Sequence, residues 1–235
     1  LALVTLNSEG HPSYRLYREG IADKDTSYEE IVDNLPADLR VFHTGSLAIT
    51  PSQLPKIQSV FKLMRERGVL VSVDINIRIR ASIDKQKYLE GVRSLLKSAD
   101  IVKASDEDLL ALGLSENAGR SAEMVYEEMG GGVLVLTEGD GGAVVYSDHG
   151  RVTQNSYRVP NVVDTVGAGD TFHSAFLACL LRNGELAKAL EEIPVKSLGE
   201  ALKYACAAAA INVSRAGCSP PTHEEVTEYI AAAED

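Results

Sequence analysis

A chain of 235 residues with 45% hydrophobic and 24% charged residues is long enough to bury a real core. Its composition excludes disordered, collagen-like and disulfide-scaffold classes, and 23 Lys plus Arg against 34 Asp plus Glu, a formal net charge of -11, excludes a basic coat for nucleic acid. The longest apolar run, Ala205 to Ile211, is far below the ~20 residues that cross a bilayer, and three cysteines without C-x-x-C spacing, Cys179, Cys206 and Cys218, suggest neither a disulfide framework nor a zinc site and point to a reducing cytoplasm.

Leu1 to Leu6 is β-prone, Asn7 to Gly10 supplies turn chemistry, and Ser13 to Tyr17 resumes a β-prone stretch, which predicts a hairpin. The opening lies in an apolar run without Met or a basic n-region, so the expectation is a fragment with residues upstream. From Pro51 the period becomes helical through Leu54, Ile57, Phe61 and Met64, ending at Gly68. Val69 to Val73 is a continuous β-branched run suited to a strand buried on both faces. A helix carrying Tyr88, Leu89, Val92, Leu95 and Leu96 follows, then a short strand at Ile101 and Val102, then helical stretches at Leu109 to Leu112 and Ala122 to Met129. Such alternation predicts right-handed βαβ crossovers and a largely parallel sheet. Val133 to Leu136, Ala143 to Tyr146 and Arg151 to Tyr157 read as a meander, and a further strand-like segment ends at Val163. Phe172, Ala175, Phe176, Cys179 and Leu180 mark an amphipathic helix, and Leu198 to Val213 and Glu224 to Ala233 complete an α-rich end. One α/β domain, 21-235, with a hairpin appendage at 1-20, is the economical organisation.

The chemistry concentrates in Asp164 to Phe172, D-T-V-G-A-G-D-T-F, just before the amphipathic helix. Gly167, Ala168 and Gly169 expose consecutive N–H groups at the positive end of a helix dipole, a geometry that suits an anion. Asp170 in the first turn can take the proton of a hydroxyl that attacks a phosphorus held there. Taken alone, a G-x-G-D is equally a turn followed by an N-terminal acidic residue. The chain has no G-x-x-x-x-G-K-[ST], and the stretch lacks the third glycine of a dinucleotide fingerprint.

At these residues the chain resembles the ribokinase-like sugar kinases, the PfkB carbohydrate kinase family, whose signature reads close to D-T-x-G-A-G-D-x-F. Asp74 to Arg78 resembles the family's D-P-N-x-R, with Ile75 in place of proline. Val102 to Asp108 resembles K-x-[NS]-x-x-E, Leu136 to Gly142 resembles the T-x-G-x-x-G turn, and Ala205 to Pro221 resembles the Ala-rich helix plus R-x-G-x-x-P. The motifs cover essentially the whole chain in family order. The resemblance implies a three-layer α/β/α sandwich with a mostly parallel sheet and a small β lid, N-terminally truncated. It implies Asp170 as general base, Gly167, Ala168 and Gly169 as the anion hole, and Arg78 near the sugar or γ-phosphate. Ser105 and Asp108 would bound the magnesium region through water, with Asp108 one methylene shorter than the usual glutamate. Thr137, Gly139 and Gly142 would line the nucleotide, although an ordinary hairpin turn explains the glycines equally. Asp164 with the loop near Gly217 would form a monovalent-cation (K+) site.

Tyr14 to Asp23 resembles the Y-R-x-G-x-A-D stretch of fructokinase-like and 2-keto-3-deoxygluconate kinase-like members, which makes Tyr17 and Arg18 sugar-site candidates on a lid that also implies a homodimer; solvated hairpin residues are the plain alternative. His43 to Ser46 fits the family's H-x-G-S strand end, with Gly45 and Ser46 facing the cleft and His43 a buried, hydrogen-bonded imidazole. The family's Gly-Gly-Asn segment for sugar hydroxyls does not occur, so an uncovered parallel sheet edge is expected. The implied function is transfer of the γ-phosphate of ATP, with Mg2+, to a primary hydroxyl of fructose. The alternatives are 2-keto-3-deoxygluconate, whose carboxylate Arg18 or Arg78 would hold, a ribose or nucleoside acceptor, and a catalytically silent binding protein.

Overall fold

A computed structural model describes residues 2–6, 12–16, 22, 25–82, 84–187 and 189–234. Strands β1 (Ala2–Leu6) and β2 (Pro12–Leu16) pair antiparallel as a separate two-stranded sheet, the expected hairpin. The main sheet has six strands in sequential order: β3 (Val41–Gly45), β4 (Leu70–Asp74), β5 (Ile101–Ser105), β6 (Val133–Thr137), β7 (Ala143–Ser147) and β8 (Gly150–Gln154). The first four are parallel, and β7 and β8 return antiparallel. The helices are α1 (Tyr28–Asp33), α2 (Leu54–Glu66), α3 (Lys85–Leu96), α4 (Asp106–Ala111), α5 (Ala118–Met129), α6 (Ala168–Arg182), α7 (Val195–Val213) and α8 (His223–Glu234).

Period-two alternation divides the core into two clusters, one on each face of the sheet. Val71, Val73, Val102, Ala104, Leu134 and Leu136 face α2 to α5, where Phe61, Met64, Tyr88 and Leu95 pack. Ile101, Val133, Val135, Ala143 and Val145 face α6 to α8, with Phe176, Leu180, Leu202 and Ile211. The three layers expected of a ribokinase-like α/β sandwich are thus present. On the α6 face the alternation continues through His43, Ser72, Asp74 and Lys103, so polar groups replace apolar ones toward the carboxyl ends of β3, β4 and β5. The register sets His43 beside Ser72 and Asp74 beside Lys103.

Three elements differ from expectation. Strand β5 runs on to Ser105, because Lys103 finds a buried partner and need not end the strand. The segment before Val163 is not a strand: Val162, Val163 and Val166 are about half exposed in a loop, anchored where Val163 N–H donates to Val213 O at 2.8 Å. Helix α1 was not anticipated, although Tyr28, Ile31 and Leu35 recur at helical spacing and pack partly buried against the core; it has no fully buried residue, and a capping box between Ser27 and Glu30 starts it. Strand β3 pairs only with β4 among the described residues, the sheet edge anticipated above.

Candidate active site

The carboxyl ends of β3 to β6 bring Gly45, Asp74, Ser105 and Thr137 to one edge of the sheet, the usual ligand side of an open α/β sheet. Gly45 is required there, since a Cβ would lie 1.9 Å from Asp74 O. The next residue, Ser46, and Asn76 beyond β4 both take positive φ, 50° and 37°, the kind of local strain that clusters at functional edges.

Helix α6 arrives over this edge with its N-terminus. Gly167 caps it at φ 76°, and a Cβ there would lie 2.2 Å from Cys218 Sγ, so both conformation and space demand glycine. The N–H groups of Gly169 and Asp170, in the first turn, lack intrahelical acceptors. Beneath them lies an ion pair that sequence reasoning missed: Lys103 Nζ donates to both Asp74 oxygens at 3.2 and 3.1 Å, with both side chains only 6% exposed. A methyl group on Gly169 would sit 3.0 Å from Lys103 Nζ, so the ammonium group and the helix terminus converge on the same space. Burial pushes the Asp74 carboxyl up to about 6, with Asp108 and Asp170 adding to the push and Lys103 opposing it. Asp170 itself is exposed above the pair. Two polar residues within otherwise apolar strands were the available signal, since buried charges occur almost only in pairs.

Asp164 and Asn212 hold the loop before α6. Asp164 Oδ1 accepts from Val166 N–H and Oδ2 from Gly217 N–H, each at 2.9 Å, and these two donors hold its carboxyl below the usual range. Fully buried Asn212 donates from Nδ2 to Val166 O and accepts at Oδ1 from Ser219 N–H, both at 3.0 Å. Asp164, expected beside a cation, is in this geometry a clasp between two loops.

Arg78 is half-buried; its Nε donates to Ser46 Oγ at 3.3 Å, while its backbone N–H donates to Tyr88 OH at 3.2 Å. Asp108 Oδ1 accepts from Ile77 N–H at 2.7 Å, and Oδ2 accepts from Ser105 N–H and Oγ–H at 3.0 and 2.8 Å. It thus caps α4 through the Ser105 box and pins the loop carrying Arg78. No group of three or more His, Cys, Asp or Glu able to hold a metal ion occurs among the described residues. Thr137 lies opposite Ser105 across the sheet, and Gly139 and Gly142 form the β6–β7 turn, where Gly142, at φ 98°, could not accept a Cβ beside Gln154 O. Tyr17 and Arg18 lie outside the described residues. His43, expected buried, is exposed in this chain, whose described sheet ends at β3; its Nδ1 does lie 3.2 Å from Ser72 Oγ.

A helix N-terminus with free N–H groups, a charge pair beneath it and an exposed carboxylate at its rim are the parts that phosphoryl transfer would call for, and known proteins share the frame that holds them. The chain is 30% identical over 223 residues to "Probable fructokinase-5" of Arabidopsis thaliana, covering 94% of this chain and 66% of that one, so it spans about two thirds of that relative's length. A fructokinase from Xylella fastidiosa with bound ATP has the same fold at a TM-score of 0.86 and 24% identity, over 100% of this chain and 74% of that one. A fructokinase from Vibrio cholerae O395, bound to fructose, ADP and calcium, matches at a TM-score of 0.80 and 21% identity, over 97% and 73%. The family model described as "pfkB family carbohydrate kinase" matches residues 1–225. With the signature helix, the sheet order and these matches in agreement, the chain belongs to the pfkB family of carbohydrate kinases.

Proposed function

We propose that the chain is the greater part of an ATP-dependent sugar kinase that phosphorylates a primary hydroxyl of fructose. The observation that carries this reading is the convergence of Asp170, the α6 N-terminus and Lys103 on one space. Asp170 accepts the proton of the attacking hydroxyl as its oxygen bonds to the γ-phosphorus; the bond from phosphorus to the bridging oxygen breaks, and ADP leaves with that electron pair. The N–H groups at Gly169 and Asp170 take up charge on the phosphoryl oxygens in place, and Lys103 adds a cation to the same space. Asp74 keeps that cation neutralised in the resting state and aims it.

Ser105 and Asp108 would hold a magnesium ion through water, together with the nucleotide phosphates, since no group of three or more His, Cys, Asp or Glu able to hold a metal occurs among the described residues. When bound, it would neutralise phosphate charge. A potassium ion at Asp164 would share a carboxylate already clasping two N–H groups. Thr137, Gly139 and Gly142 line the nucleotide in this reading, and Arg78, steadied by Ser46 and Tyr88, meets the sugar or the γ-phosphate; Tyr17 and Arg18 complete the sugar contacts. The two-stranded sheet, with Leu3 exposed on it, is the dimer-forming lid. Three free cysteines accord with a cytoplasmic home.

The test is ADP release from the chain with fructose, 2-keto-3-deoxygluconate, ribose and adenosine in turn. Fructose is expected to lead, and Asp170→Asn to lower kcat by about 10²–10⁴ while leaving the fold intact. Near-normal turnover by that variant overturns the base assignment, and preference for the keto-acid overturns the sugar.

A further inference from the structure

Lys103 is committed to one carboxylate and close to a second place where negative charge is welcome. Its ammonium nitrogen donates to both Asp74 oxygens, at 3.2 and 3.1 Å, and it lies 3.0 Å from the point that a Cβ on Gly169 would occupy, in the first turn of α6. An ammonium group carries three N–H donors that turn about one C–N bond, so Lys103 can serve Asp74 and a further acceptor together. Both side chains of the pair are only 6% exposed, which leaves any charge brought beside them weakly screened.

The ionisable groups around Asp74 come from several elements. Burial raises its proton affinity most, Lys103 of β5 opposes that, and Asp108 of α4 and Asp170 of α6 add to the rise, leaving the carboxyl at about 6. His173 of α6, whose Nε2 lies 2.6 Å from Ser72 Oγ, and His43 of β3 also feel Lys103, and burial lowers both imidazoles below their ordinary value. At neutral pH the pair is therefore mostly a carboxylate and an ammonium group with no net charge between them.

A phosphate group at the α6 N-terminus shifts this balance in one direction. Its negative charge attracts Lys103 and repels the Asp74 carboxylate, and each effect favours a protonated Asp74. Once protonated, Asp74 still accepts from Lys103 through its carbonyl oxygen. We propose that a phosphate bound over Lys103 makes Asp74 take up a proton from solvent, so that a pair neutral at rest presents a full positive charge once the anion is in place. That the anion is a nucleotide phosphate rests on the proposed kinase function. Asp74 is here a positioning residue, since it acts on the ligand through Lys103. The arrangement spares the fold an uncompensated buried cation before the anion arrives, and afterwards frees the cation from its own counter-charge.

The test is calorimetric titration of the 235-residue chain with magnesium ATP in two buffers of different ionisation enthalpy, which counts the protons taken up on binding. With the resting carboxyl at about 6, most Asp74 side chains lack the proton at pH 7. Wild type is then expected to take up about 0.5–0.9 proton more per ATP than Asp74→Asn does, an excess that should vanish by about pH 5. Its affinity, relative to that of Asp74→Asn, should correspondingly fall by about 3–8-fold per pH unit near pH 7. Lys103→Met is the second variant, whose buried carboxyl answers the loss of its partner by already holding a proton. It should bind magnesium ATP about 10–150-fold more weakly and take up no more protons than Asp74→Asn. Circular dichroism checks the fold of both variants. Equal proton counts in wild type and a folded Asp74→Asn chain, or an undiminished count in a folded Lys103→Met chain, overturn the proposal by placing the proton on another group such as Asp170 or His43. Proton release by the wild type overturns it too. A wild-type chain that binds no magnesium ATP defeats the nucleotide reading and this proposal with it, whereas binding without the excess proton defeats this proposal alone.

Discussion

Replacing Asp74 with asparagine isolates the energetics of the buried pair. Burial holds the Asp74 carboxyl at about 6, against an ordinary 3.8, despite the attraction of Lys103. The folded chain therefore binds this proton more tightly than the unfolded chain, so the group adds stability at low pH and loses that contribution as pH rises through about 6. The full contribution is roughly 3 kcal/mol, of which about 2 kcal/mol is lost between about pH 4.5 and 7. Asparagine has no proton to lose and still accepts a hydrogen bond from Lys103. Urea unfolding of both proteins across that range should show the wild-type minus Asp74→Asn difference falling by about 2 kcal/mol from the acid to the neutral end. Subtracting the variant removes the background from the other titrating groups. A difference that stays flat or rises with pH would refute the account, because it would mean that attraction to Lys103 outweighs burial.

The loop before α6 gives two further predictions. Gly167→Ala should cost about 2–4 kcal/mol by thermal unfolding, from left-handed backbone strain plus the contact with Cys218 Sγ, and adding Cys218→Gly should return roughly 1 kcal/mol or more of it, since only the steric part is relieved. Asn212→Leu leaves Val166 C=O and Ser219 N–H unpaired and should cost about 2–4 kcal/mol; amide hydrogen exchange in residues 164–170 should accelerate, whereas unchanged exchange there would separate Asn212 from the nest.

The parts of this molecule that were legible in the sequence are those encoded locally. Gly167 to Asp170 followed by the stripe from Phe172 to Leu180 announces a helix with an open anion-binding end, and Val69 to Val73 announces a doubly covered strand, each within one continuous window. What stayed hidden depends on register. Ser72 lies 29 residues from His43 and 101 from His173, and only the parallel pairing of β3 with β4 and the approach of α6 bring them together. Lys103 and Asp74 are likewise 29 apart; each looked like the end of a strand until the other was beside it. The Val162–Val163 pair misled in the opposite direction, because β-branched residues favour extended backbone whether or not a neighbouring strand is there to pair with them.

The alternation along β4 also bears on how the chain avoids misfolding. A parallel strand with apolar residues on both faces carries little to distinguish one alignment from the next, and a slip of one residue exchanges its faces. In β4 such a slip would drive Ser72 and Asp74 into the layer beneath α2 and α3, where no ammonium or imidazole waits, and would turn Val71 and Val73 toward the cleft. Stranding an unpartnered carboxylate among Phe61, Met64 and Leu95 is heavily penalised, so Asp74 and Lys103 act as a checksum on strand alignment during folding.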